Sequence, residues 1–122
     1  NSSRQWQWCR RCEWQSPGKS GRLAGDCLIN TTSVGMVPQG EQIPVPEETA
    51  RGFHFVMDAV YNPPETRLLR VARAAGAVTI SGVEMFVAQG AEQLRIWTGM
   101  EPPVRSMKAV VLAAFRNRKE QG

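Results

Sequence analysis

Residues 53–60 read Phe-His-Phe-Val-Met-Asp-Ala-Val, and Asn62-Pro63-Pro64-Glu65 follows almost at once. An apolar run this nearly continuous is expected of a parallel strand buried on both faces. Within it, His54 reads as a hydrogen-bonded core histidine. The Asn-Pro-Pro-Glu that follows has the spacing of a helix start: a cap residue, proline in the first turn, an acid three positions after the cap. Thr66 is a rival cap. A buried strand delivered straight into a helix fits half of a βαβ unit, in which the return strand runs parallel to the first. This one junction already directs the chain toward an α/β fold.

The flanking segments agree. Cys27-Leu28-Ile29-Asn30 is a short apolar strand running into Thr31-Thr32-Ser33. Residues 35–46 hold three prolines and two glycines and read as a loop. Pro46-Glu47-Glu48 can open a short helix ending near Gly52. Leu68, Leu69, Ala72 and Ala75 mark one face of the helix after the junction, and Gly76 ends it. Residues 77–80 form a third strand, closed by Ser81-Gly82. Residues 84–98 form a long helix with few charges, so most of it is expected to be buried. After a turn at residues 100–103, Val104, Met107, Val110, Val111, Ala114 and Phe115 share one helical stripe. The order strand, helix, strand, helix, strand, helix, helix is that of a parallel α/β sheet.

Residues 1–21 stand apart. Trp6, Trp8 and Trp14 lie among Arg, Gln and Ser without a helical or strand period, and residues 16–21 are a loop signal. This segment reads as poorly ordered or foreign to the fold, with the folded part at 22–122. The opening Asn reads as the start of a fragment or a processed product. Three strands alone leave an unpaired sheet edge, so a poorly cooperative fold is expected.

Charge is distributed unevenly. Residues 1–25 carry five basic and one acidic side chain, residues 26–103 five and nine, residues 104–122 five and one, which sums to the net +4. The basicity sits at the ends, as solvated termini do, and does not describe a nucleic-acid groove. No apolar run has the length of a membrane span. Cys9, Cys12 and Cys27 are an odd number, read as reduced thiols. Cys9-x-x-Cys12 with Cys27 and His54 could supply four metal ligands. Structural zinc sites usually show two close pairs, however, so a metal-binding or interaction module is the weaker alternative and no metal is expected.

If the three strands are parallel, their C-terminal ends lie on one edge of the sheet, where ligands bind in open α/β folds. That edge carries Asn30, Thr31, Thr32 and Ser33, then Ala59 and Tyr61, then Gly82. Thr31, Thr32 and Ser33 offer hydroxyls and backbone N–H groups. Gly82 would let a flat ring or a phosphate approach the backbone. Tyr61 offers a phenolic hydroxyl at the rim. Gln89, among Ala88, Gly90 and Ala91 in the next helix, can both donate to and accept from a polyol. Each has a plain alternative: turn chemistry for Thr-Thr-Ser, a rim residue for Tyr61, a bridge to backbone for Gln89.

The segments N-T-T-S-V-G-M (30–36), D-A-V-Y-N-P-P-E-T-R-L-L (58–69) and S-G-V-E-M-F-V-A-Q-G-A-E-Q (81–93), with Trp97-Thr98-Gly99 after them, resemble in order and spacing the C-terminal signatures of the shikimate dehydrogenase family. The resemblance covers roughly residues 22–115. It implies the C-terminal half of a Rossmann-like parallel sheet with a C-terminal helical pair, and reduction of 3-dehydroshikimate to shikimate with NADP as cofactor. It further implies that residues 30–33 line the cofactor crevice, that Ala59 and Gly82 face the nicotinamide, and that Tyr61 and Gln89 contact the substrate. A quinate dehydrogenase using NAD or NADP is the related alternative. The glycine-rich dinucleotide turn and the N-terminal domain that holds the family's catalytic Lys and Asp are not in these residues. No catalytic residue is therefore expected in this chain, and its partner is the N-terminal catalytic domain of the same parent protein. The isolated chain is expected to be inactive. The family's location would be cytoplasmic in a bacterium and plastid in a plant or alga.

Overall fold

The computed structural model describes residues 25–121. Trp6, Trp8, Trp14, Cys9, Cys12 and the boundary near residue 22 lie outside that range. The elements are β1 (Gly25–Asn30), α1 (Glu47–Ala50), β2 (Phe53–Asp58), α2 (Arg67–Ala74), β3 (Val78–Ile80), α3 (Gly82–Thr98) and α4 (Val104–Gln121). The strands form one parallel sheet in the order β1-β2-β3, as the alternation requires.

Register assigns the side chains to faces. Leu28 lies beside Val56 and Asn30 beside Asp58, with Thr79 on the other flank of Val56. This face is covered. Val56 packs with Ala50 of α1 and with Leu68, Leu69 and Ala72 of α2, and Leu28, Ile43 and Val45 close the margin. Leu68 and Leu69 are spaced to point inward together with Ala72 one turn later, and each fully buried leucine contributes about 1.5–3 kcal/mol.

The opposite face is open. Cys27, Phe55 and Val78 form one row across it, and Ile29, Met57 and Ile80 the next. Ile29 is 55% exposed, Phe55 48%, Val78 56% and Ile80 41%. The expectation that β2 is buried on both faces is therefore wrong. Both α1 and α2 lie on the same side of β2, whereas α3 packs on α4 rather than across the sheet. His54 is exposed and is not a core histidine.

Helix α2 starts at Thr66, not Asn62. The Thr66 side chain accepts from the Leu69 N–H, and Arg67 is the first helical residue. The reason is tertiary: the Thr66 hydroxyl donates to buried Asp58 at 2.7 Å, which anchors the cap at that position. Gly76, at φ +88°, reverses the chain into β3. Helix α3 opens with a reciprocal capping box between Ser81 and Glu84 and ends at left-handed Gly99. It is less buried than its composition suggests. Only Gly82, Val83, Val87 and Ala91 are buried, while Ile96 and Trp97 are 72% and 71% exposed. Helix α4 returns against α3. Its Met107 faces Gly90, where a Cβ would sit 3.5 Å from the methionine Cε, and Lys108 reaches Glu84 at 3.5 Å.

Candidate functional site

Asp58 holds the strand-end edge together. It is fully buried. Its Oδ1 accepts from Asn30 Nδ2 and from the Val60 N–H, both at 3.0 Å, and its Oδ2 accepts from the Thr66 hydroxyl. One carboxylate thus joins the end of β1, the turn after β2 and the start of α2. Burial pushes the Asp58 carboxyl above the ordinary aspartate value, while its bonds from Thr66, Val60 and Asn30 oppose that rise.

Asn30 continues the network. Its amide nitrogen also donates to the Val34 carbonyl, and its amide oxygen accepts from the Thr32 N–H and, at 2.7 Å, from the Thr32 hydroxyl. Thr32 Oγ1 in turn accepts from the Val34 N–H. The side chains of Asn30 and Thr32 are thereby engaged in shaping residues 30–34. Thr31 and Ser33 are exposed at the rim of that turn. Of the four residues expected along this segment, these two present hydroxyls outward, and Asn30 and Thr32 hold the backbone beneath them.

Ala59 sits at the junction of the two strand ends. Its N–H donates to the Asn30 carbonyl at 2.9 Å, and its own carbonyl is covered by the start of α3. That carbonyl faces Gly82. A Cβ on Gly82 would lie 2.6 Å from the Ala59 oxygen and 2.4 Å from the Val60 oxygen. The missing side chain at 82 therefore serves first to let α3 seat on the Ala59–Val60 backbone. Sequence reasoning attributed it to ligand approach alone.

Tyr61 leaves the buried strand for the rim and is 49% exposed. Its ring stacks on Phe86 of α3, with centroids 5.7 Å apart and planes at 28°, and meets Phe115 of α4 at 6.2 Å and 41°. Gln89 lies one turn beyond Phe86, on a neighbouring strip of the same helix. It is exposed and lines a shallow depression with Glu92, Gln93, Ile96 and Trp97. The depression that Gln89 lines includes neither Tyr61 nor a strand-end residue. Phe86 and Phe115 escaped sequence reasoning as site neighbours, although Phe115 stood on the apolar stripe of α4.

The four-ligand metal reading finds no support in this geometry. Cys27 pairs with Phe55 and so shares its open face, whereas His54, one residue before Phe55, points to the other side of the sheet. A single ion cannot be held by both.

Residues 82–112 match the family described as shikimate 5'-dehydrogenase C-terminal domain. The shikimate dehydrogenase (NADP(+)) of Methanosarcina mazei is 55% identical over 91 residues, covering 75% of this chain and 32% of that protein. Among solved structures, a shikimate dehydrogenase in complex with NADP+ superposes with a TM-score of 0.65 at 39% identity, covering 74% of this chain and 32% of the other. A quinate dehydrogenase from Corynebacterium glutamicum in complex with NAD does so with a TM-score of 0.65 at 36% identity over the same shares. Fold and edge together define part of a Rossmann-like α/β unit. Over the matched part it is similar to the shikimate dehydrogenases, and the chain spans about a third of the length of the curated relatives it matches.

Proposed function

We propose that the edge built from residues 30–34, 59–61 and 81–89 is one wall of the active site of an NADP-dependent shikimate dehydrogenase, an oxidoreductase that reduces 3-dehydroshikimate to shikimate on the route to aromatic amino acids. The observation that carries this reading is the Asp58 clamp. It brings the ends of β1 and β2 and the start of α2 to one place, with outward hydroxyls at Thr31 and Ser33 and the aromatic rim at Tyr61 beside them.

The donor set fits half of a dinucleotide. The edge offers uncharged hydroxyls, the Ala59 methyl and a tightly packed glycine, which suit a flat, neutral nicotinamide and its ribose. Residues 30–36, 58–62 and 81–89 contain no Lys or Arg, so phosphate groups must find their partners elsewhere. NADPH, when bound, supplies the hydride. The residues here orient: residues 30–34 and Ala59 form the cofactor surface, Gly82 keeps α3 pressed against it, and Tyr61 and Gln89 hold polar groups of the substrate ring. Proton transfer falls to the lysine and aspartate of an N-terminal catalytic domain in the same parent protein.

The test is titration of the isotope-labelled 122-residue chain with shikimate, quinate, NADP and NAD, followed by amide and side-chain resonances. Selective displacement at Tyr61 and Gln89 by shikimate, and at Thr31, Ser33 and Ala59 by NADP, is expected. Displacements by shikimate confined to residues remote from this edge would exclude the assignment. Larger responses to quinate would transfer it to the related substrate. The same purified chain is expected to form no NADPH from shikimate and NADP.

A further inference from the structure

We infer that Phe115 of α4 is a positioning residue for Tyr61, so that the last helix braces the candidate substrate rim. The inference rests on the reading of Tyr61 as a substrate contact. Tyr61 lies beyond the end of β2, so no strand pairing holds it, and half of its surface is exposed. Its ring is instead held by two other rings: Phe86, on α3 itself, and Phe115, which is 54 positions further along the chain and reaches the site only because α4 folds back. The fold seats α4 at two further points. Met107 lies over Gly90, and Lys108 pairs with Glu84, the same carboxylate that caps α3 at Ser81. Lys108 and Phe115 are seven residues apart, two turns along one face of α4. The helix is thus tied at one point to the start of α3 and at the other to the tyrosine. With Phe115 gone, the Tyr61 ring keeps one neighbour and gains freedom about its χ1 and χ2, and the direction of its hydroxyl is no longer set.

Tyr61 is the one tyrosine in the sequence, so ring-labelled tyrosine reports on it alone in wild type and in Phe115→Met; in Phe115→Tyr its signal is told from that of the second tyrosine by comparison with the same variant carrying Tyr61→Phe. The full chain carrying Phe115→Met, which keeps apolar volume without a ring, is compared with wild type and with Phe115→Tyr, which restores a ring. Thermal unfolding is followed alongside as the purely structural readout. The expected result is that Phe115→Met moves the Tyr61 ring resonance and raises the shikimate concentration for half response about three- to tenfold. Phe115→Tyr should restore both. A Tyr61 resonance unchanged in Phe115→Met overturns the inference. So does a displaced resonance with an unchanged shikimate response, because the ring would then be held without consequence for the ligand. A wild-type chain whose Tyr61 ignores shikimate, while Phe115→Met still releases the ring, rejects Tyr61 as a substrate contact and leaves the brace itself standing. If Phe115→Met fails to fold, Phe115→Tyr decides by its own Tyr61 resonance: wild-type position supports the brace, a shifted one with intact amide dispersion overturns it.

Discussion

Asp58 is a carboxylate in a place where a charge is costly, and three donors offset that cost. Asp58→Ala is expected to destabilise the chain by about 3–5 kcal/mol, since the Val60 N–H and one of the two Asn30 amide N–H groups would be left buried without an acceptor. Asp58→Asn, which keeps one acceptor oxygen, should cost less. Denaturant unfolding measures both. The pH dependence has a definite sign. Burial raises the folded-state pKa of Asp58 above the ordinary value, so the folded chain binds more protons in that window and stability falls as pH rises through it. Glu84 behaves in the opposite way. The Ser81 backbone N–H holds its carboxylate below the ordinary glutamate value, so its contribution is present above that value and is lost as pH falls through the folded-state pKa. The two windows meet near the ordinary carboxylate range. They are separated by difference curves: wild type minus Asp58→Asn should slope downward with pH, and wild type minus Glu84→Gln upward.

At the scale of elements, the junction between β3 and α3 sets how close the ligand edge can be drawn together. Gly82→Ala places a methyl 2.4 Å from the Val60 carbonyl oxygen, backbone that cannot rotate away. The substitution is expected to cost about 2–4 kcal/mol and to shift the Ala59 and Tyr61 amides in a two-dimensional spectrum. Ser81→Ala removes only the cap and should cost about 1 kcal/mol with little change at Tyr61. An equal effect of both substitutions would argue that capping, not packing, governs the junction. Sequence reasoning found these elements and their order, and found the Ser81 stop. It put the start of α2 first at Asn62 and kept Thr66 as the rival that the structure selects, because Asn62-Pro63 has the local chemistry of a cap while Thr66 has a partner eight residues back in Asp58. It buried α3 too deeply, since a low charge count along a helix does not say how many neighbours surround it.

Among the described residues there is one finished core and one unfinished face. Helices α1 and α2 close the side of the sheet that holds Val56, and the row of Ile29, Phe55, Val78 and Ile80 on the other side meets solvent. An apolar face of this kind, flanked among the described residues by unpaired sheet edges, favours association. Val78→Lys and Ile80→Thr together are expected to lower self-association in light scattering while leaving the unfolding midpoint nearly unchanged. A large loss of stability would show that this face is internally packed. The wild-type chain is expected to melt over a broad range, as a single covered face implies, and a sharp two-state transition with dispersed amides would contradict that.

The order of strands and helices, the parallel sheet and the edge at which the polar residues gather were all legible in the chain. They depend on local chemistry: an apolar run at 53–60, a helix stop at Gly76, a strand end at Ser81-Gly82. The family signatures could likewise be read directly, because they are contiguous. Only the tertiary structure separated the hydroxyls of Thr31 and Ser33, which face outward, from Asn30 and Thr32, whose bonding capacity is spent on the turn. Only it showed that Gly82 is bare to admit backbone, and that Phe115 stands beside Tyr61. These facts depend on which atoms meet across dozens of residues, and spacing along a chain carries no record of such meetings. The direction in which a side chain points out of a strand follows from its register, but whether anything covers it is decided by where the helices come to lie.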